Sequence, residues 1–219
     1  MAHSLQAVDP IEPKKEGKFI VIEGPDGAGS STQIDLLRKY LIERGEKVDQ
    51  LHKEPTNNFI GGLIRGILTG AINFKSPHGR QLLYVADRLH HLESSIEPAL
   101  KKGFWVLTDR YIPSTLVYGT ADGAEWDYLM HANQPCRIPD LTLLIDVPVE
   151  TCLERIDKTR SSRELFEKKK TLEAVVKNYA RFAKEYPNTY LVNGQSSERM
   201  VHRRIRNMVE EKIYTGHTD

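Results

Sequence analysis

The 219-residue sequence predicts an α/β fold, a single five-stranded parallel sheet with helices on both faces. Three observations carry that expectation. Short apolar, β-branched runs recur along the chain, helical periodicity fills the stretches between them, and the first run ends in a glycine-rich turn that opens straight into a helix.

Residues 1–17 hold Pro10, Pro13 and the charged run Lys14-Lys15-Glu16 without an apolar targeting core, so a disordered leader is expected there. Lys18 to Glu23 suits a strand buried on both faces. Ser30 to Arg44 then reads as a helix closed by Gly45. Further strands are expected at Lys47 to His52, Phe104 to Asp109, Leu141 to Val147 and Thr189 to Asn193. Between the second and third, the spacing of Leu82, Val85, Ala86, Leu89, Leu92 and Ile96 puts one apolar stripe on a long helix. A late helix from Leu165 to Tyr186 is stopped by Pro187. One domain over 18–213 with a tail at 214–219 accounts for the pattern.

Composition narrows the function. Lys and Arg number 31 against 30 Asp and Glu, a balance that argues against a protein that coats nucleic acid, so an anionic partner is small and locally gripped. No apolar run approaches the roughly 20 residues needed to span a bilayer, and no membrane partner is expected. Cys136 and Cys152 build neither a disulfide framework nor a zinc site, which points to a reducing, cytoplasmic compartment. His90 and His91 face different ways on a helix and His78, His131 and His202 stand alone, so no zinc site is assigned. Neither a thiol nucleophile nor a Ser-His-Asp triad is assigned.

Directly after the first strand comes Gly24-Pro-Asp-Gly27-Ala28-Gly29-Ser30-Ser31-Thr32. This is the spacing and strand-to-helix context of the phosphate-binding loop GxxxxGK[ST], with Ser30 where the lysine belongs. Backbone N–H groups converge on a phosphate only where no Cβ intervenes, and the helix that follows presents its positive end to the same anion. Ser31 offers a hydroxyl for Mg²⁺. Loss of the lysine removes a cation from the β- and γ-phosphates, so either another cation compensates or the enzyme is slow. Charge concentrates later: eleven of the seventeen residues from Glu154 to Lys170 are charged, a solvated helix face or a basic lid at about 157–165.

Taken together, Phe19-Ile-Val-Ile-Glu-Gly-Pro-Asp-Gly-Ala-Gly29, Lys53-Glu-Pro55, Leu82-Leu-Tyr-Val-Ala-Asp-Arg88 and Thr108-Asp-Arg-Tyr-Ile-Pro-Ser114 resemble the thymidylate kinases, P-loop nucleoside monophosphate kinases, in order and approximate spacing. The resemblance implies transfer of the γ-phosphoryl of ATP to dTMP, with Mg²⁺, by a homodimer paired through helices such as Leu82 to Ile96. It implies ATP contacts at Gly24, Gly27, Ala28, Gly29, Ser30, Ser31 and Thr32, and Mg²⁺ contacts at Ser31 and Asp109. Asp26 matches the residue that takes the deoxyribose 3′-hydroxyl, or else is simply a helix N-terminal acid. Arg110 matches the grip on the acceptor phosphate. Lys53 stands for an arginine that shares that grip, keeping the charge and losing the fork. Arg65 matches a basic residue that orients the acceptor.

Tyr84 and Arg88, four apart and hence on one helix face, match a stacking aromatic and a donor to a base carbonyl. Ser114 and Tyr118 match residues that line the base pocket. Where many relatives carry glutamine or threonine after that tyrosine, here stands Gly119, so the thymine donor differs, Thr120 being the candidate. Gly27 replaces the catalytic loop arginine of some relatives, which leaves Lys158, Arg160 and Arg163 of the lid as catalytic candidates beside Asp109. Arg155, on the helix before the lid, is expected to pair with carboxylates. Gly119 keeps open another acceptor, dUMP or a deoxynucleoside, and Ser30 keeps open a nucleotide-binding protein of weak catalysis.

Overall fold

A computed structural model describes residues 16–159 and 169–216. Most of the expected leader, the last residues of the tail, and the lid residues Arg160 and Arg163 lie outside these described residues. Gly17 marks the entry, its N–H donating to Leu100 O at 2.9 Å.

The five strands are β1 (Phe19–Glu23), β2 (His52–Lys53), β3 (Val106–Asp109), β4 (Leu141–Asp146) and β5 (Thr189–Asn193). They form one parallel sheet in the order β2-β3-β1-β4-β5. β1 is central, with Val21 in register with Thr108 on one side and Thr142 on the other. A central strand has no solvent face, and all five of its residues are buried. Phe19 and Val21 join the core under α5 (Ile112–Ala121) and α8 (Lys169–Glu185), with Leu116, Val175 and Phe182. Ile20 and Ile22 point the other way, to Leu37 of α1 (Ser30–Glu43) and Ile205 of α9 (Glu198–Val209).

Two elements depart from the sequence reading. The second strand, expected at Lys47 to His52, is confined to His52–Lys53, with an isolated bridge from Val48 to Trp105. It is the sheet's edge, where one neighbour alone supplies ladder partners, so pairing lapses between those two points. The long helix is α3 (Pro77–His91), continued by a π-turn at Leu92–Ile96 and by α4 (Glu97–Lys101). Its apolar residues form two stripes rather than one. Val85, Leu92 and Ile96 are buried, whereas Leu82, Ala86 and Leu89 are exposed. The inward face is completed by the polar Gln81 and Arg88, which a count of apolar spacing assigns to solvent.

The remaining helices are α2 (Phe59–Leu68), α6 (Trp126–Ala132) and α7 (Val149–Thr159). Among the described residues, no helix is long and apolar enough to cross a membrane. The chain order carries β1 to β2 on one side and β3 to β4 across β1 to the other. The crevice at the carboxyl ends of β1 and β3 is therefore where a ligand site belongs.

Candidate active site

The phosphate loop leaves β1 at Glu23 and enters α1 at Ser30. Gly27 and Gly29 hold φ of 85° and 95°, a left-handed conformation that a side chain disfavours. At Gly27 space forbids one as well, since a Cβ would lie 2.6 Å from Cys152 O of α7. Gly29 gives α1 no side-chain cap, which leaves the first-turn N–H groups for an anion.

Asp109, at the end of β3, closes one side of this loop. Ser30 Oγ donates to its Oδ1 at 3.1 Å, Ser31 Oγ to its Oδ2 at 2.8 Å, and Lys53 Nζ lies 3.1 Å from Oδ2. Burial works to raise the Asp109 pKa, but Arg110 and Lys53 outweigh it and hold the carboxyl below its usual range. Lys53 is 61% exposed, a long cation tethered beside the loop that lacks its own lysine.

The next residue, Arg110, is held at φ 75°. Its guanidinium pairs with Asp26 of the loop, donates to Ser114 Oγ at 3.1 Å and lies 5.2 Å from the Tyr118 ring centroid. Glu23 braces this turn from β1. It accepts from Tyr111 N–H at 2.6 Å and Ser114 N–H at 3.2 Å, and so caps α5 from outside the helix. Ser114 Oγ and the Tyr179 hydroxyl also donate to it, each at 2.9 Å. Burial nevertheless pushes the Glu23 carboxyl above its usual pKa.

A cavity of about 280 Å³ opens beside this turn, and Asp26, Lys53, Arg65, Tyr84, Arg88, Arg110, Ser114 and Tyr118 all line it. Residues from the phosphate loop, β2, α2, α3 and α5 thus meet in one place. Arg65 reaches back to the end of β2, its Nη1 donating to Thr56 O at 2.5 Å and Pro55 O at 3.3 Å. Asp87 grips the same segment through Thr56 N–H at 2.7 Å and Thr56 Oγ1 at 2.6 Å.

Arg88, expected to donate to a base carbonyl, is held by protein acceptors. It donates to Glu54 Oε2 at 2.9 Å, Thr115 Oγ1 at 2.9 Å, Asn133 Oδ1 and Tyr111 O at 2.7 Å, and its Nη2 also pairs with Glu54 Oε2 at 2.8 Å. In this arrangement it builds the cavity wall. Behind it runs a buried polar chain, from Glu54 through His91 at 3.3 Å and His52 at 2.9 Å to Asp49 at 3.1 Å. Burial lowers the His52 pKa. These histidines are far apart in sequence, and no local spacing brings them together.

Two further residues sit differently from the sequence reading. Thr120 is not among the residues that line the cavity, and its Oγ1 is buried without a hydrogen-bond partner among the described residues. Arg155 donates to the loop carbonyls of Gly27 and Ala28, both at 3.2 Å, a role the expected pairing with carboxylates did not include. Those two peptide planes are thereby turned with their oxygens toward α7. Lys158 falls on the last turn of α7, its side chain outside the described residues. Glu54, Gln81 and Thr115 line the cavity without having been assigned a role in the sequence: Glu54 sits inside the Lys53-Glu-Pro55 motif, and Gln81 and Thr115 each lie one residue outside a motif.

Comparison with known proteins agrees with this geometry. Residues 22–205 match the family model described as thymidylate kinase. A probable thymidylate kinase of Thermococcus gammatolerans is 40% identical over 210 residues, covering 91% of this chain and 99% of that protein. One from Pyrococcus horikoshii is 38% identical over 202 residues, covering 90% and 98%. A thymidylate kinase of Thermoanaerobacter pseudethanolicus is 33% identical over 203 residues, covering 90% and 100%.

Proposed function

The chain belongs to the thymidylate kinase family, and from that premise we propose that it transfers the γ-phosphoryl of ATP to dTMP, yielding ADP and dTDP. The observation that carries the reading is the shared wall between loop and cavity. Asp26 leaves the phosphate loop to meet Arg110 inside the acceptor cavity, so a monophosphate held there lies beside the phosphates held by the loop.

An oxygen of the acceptor phosphate attacks the γ-phosphorus, and the bond to the β,γ-bridging oxygen breaks. That nucleophile is already largely ionised, its second pKa being about 6, so positioning and charge stabilisation carry the reaction. Arg110, with Lys53 beside it, is assigned to the acceptor phosphate, Asp26 to the sugar hydroxyl and Tyr84 to the base. Tyr118 and Ser114 shape the pocket, and Arg65 and Arg88 fix its walls. Gly24 to Thr32 take the ATP phosphates, and Lys158, Arg160 and Arg163 are assigned to cover them. The two carboxylates that line the cavity, Asp26 and Glu54, are both held by arginines, which disfavours the general base a nucleoside hydroxyl would need.

Ser31 Oγ and the Asp109 carboxylate form an adjacent, all-oxygen donor set of the kind Mg²⁺ takes together with substrate phosphates. When bound there the ion would draw charge from the transferring phosphoryl. We assign Mg²⁺ to these two residues, and a cytoplasmic setting to a chain whose two cysteines are free and buried.

The test is ADP release over a panel of dTMP, dUMP, dCMP, dGMP and thymidine. dTMP is expected to lead by at least tenfold in kcat/KM. Preference for thymidine, or binding of dTMP and ATP without dTDP at any enzyme concentration, overturns the reading.

Homodimerisation is assigned to the outward stripe of α3, where Leu82 is 44% exposed and Ala86 and Leu89 follow it, with Phe59 of α2 88% exposed. Leu82→Glu with Leu89→Glu is expected to halve the mass measured by light scattering. An unchanged mass rules that face out.

A further inference from the structure

Gly119 leaves a gap that its neighbours fill. A Cβ built at Gly119 would lie 2.7 Å from Cδ1 of Leu129, 2.8 Å from Cγ and 3.0 Å from Cδ of Gln81, so the glutamine and the leucine tip together occupy the space a residue-119 side chain would take. Gln81 is 2% exposed, yet it lines the acceptor cavity, and its carboxamide has no hydrogen-bond partner among the described residues. Its amide is not among the fully buried polar atoms, so it faces the open cavity, and a carboxamide held in a cavity wall without a protein partner points to a ligand that completes it. Gln81, Tyr84 and Arg88 also share one face of α3, which places the amide on the same wall as the aromatic assigned to the base.

We infer that Gln81 is the specificity residue that reads the pyrimidine edge of the acceptor, an inference that rests on the dTMP kinase reading. A carboxamide presents one acceptor beside two donors. The imide edge of thymine presents the complement, an N3–H donor flanked by two carbonyl oxygens. The amide therefore accepts from N3–H and donates to the neighbouring carbonyl in one plane. Neighbouring polar groups are engaged elsewhere: Arg88 makes four hydrogen bonds and an ion pair to protein groups, Thr115 Oγ1 accepts one of them, and Thr120 lies off the cavity. Glycine at 119 is what permits the arrangement, because any larger residue there would crowd both Gln81 and the Leu129 tip.

The test compares dTMP with N3-methyl-dTMP, which lacks the N3–H, in the wild type, in Gln81→Met and in the double variant Gln81→Ala/Gly119→Gln. Methionine keeps the volume and removes the amide. Gln81→Met is expected to raise KM for dTMP about ten- to a hundredfold, leave KM for ATP within about twofold, and erase the preference for dTMP over the methylated analogue. The double variant supplies a carboxamide from the other side of the same gap and is expected to recover most of that preference. If Gln81→Met keeps the wild-type KM and preference, the inference is wrong while the kinase reading stands. If KM rises but the preference persists and the double variant recovers nothing, Gln81 is a packing residue and the inference is equally wrong. A wild type that does not phosphorylate dTMP at all removes the kinase reading, and this inference with it.

Discussion

Arg110→Ala and Arg110→Gly are expected to lose the same activity, about 10² to 10³ in kcat/KM for dTMP, and to differ in stability. Arg110 sits at φ 75°, where a Cβ crowds the following carbonyl oxygen. The conformation is held by the α5 turn that Glu23 caps, so it persists whichever side chain occupies the position. Both variants lose the guanidinium that pairs with Asp26 and donates to Ser114. Glycine alone relieves the backbone, by about 1 kcal/mol relative to alanine. Denaturant melts and steady-state kinetics on the two proteins check this together. Equal stabilities would show that the turn relaxes once the arginine is gone. Unequal activities would show that the backbone rather than the guanidinium governs the acceptor. A natural residue that costs stability in exchange for aiming a cation at the ligand is an expected trade at a functional site.

That turn also shows where the sequence was informative. The Asp109-Arg110 pair and the phosphate loop were legible because strand-to-helix junctions need particular residues at particular spacings, and those constraints are local. The cavity's predicted lining was legible for the same reason, through motifs at the ends of β2 and β3 and on α3. The protein partners of Arg88 were not legible, because they lie on Glu54, Tyr111, Thr115 and Asn133, which only the tertiary fold assembles. The His52 and His91 pair and the contact of Gln81 with Gly119 are long-range in the same way. Burial of α3 misled for a different reason. A face that lines a ligand site is polar and buried, and its apolar neighbours are left outside, which inverts the usual reading of amphipathicity.

Ser30→Lys is expected to change turnover little in the wild-type background and to restore it strongly where the lid has been stripped. The loop holds no cation of its own at position 30, since Ser30 donates to Asp109 instead. Nor can position 27 hold one, because a side chain there would meet Cys152 O at 2.6 Å. The charge that stabilises the transferring phosphoryl is then expected from elsewhere, and two sources are proposed: the lid residues Arg160 and Arg163, and Lys53, whose ammonium shares an Asp109 oxygen with Ser31. If the lid supplies it, Arg160→Ala and Arg163→Ala each lower kcat, by about 10² to 10³ for one preorganised stabiliser. Adding Ser30→Lys to the lid double variant then recovers at least about tenfold, because two groups that serve one oxygen cluster are not additive. If instead Arg160→Ala and Arg163→Ala leave turnover unchanged while Ser30→Lys alone raises it greatly, the lid does not compensate. Lys53→Met separates the remaining case: a loss there that Ser30→Lys repairs assigns the missing charge to the end of β2. In each outcome the variant at position 30 reports how much of the reaction depends on one ammonium in the loop, and the partner whose loss it repairs identifies what has taken the lysine's place.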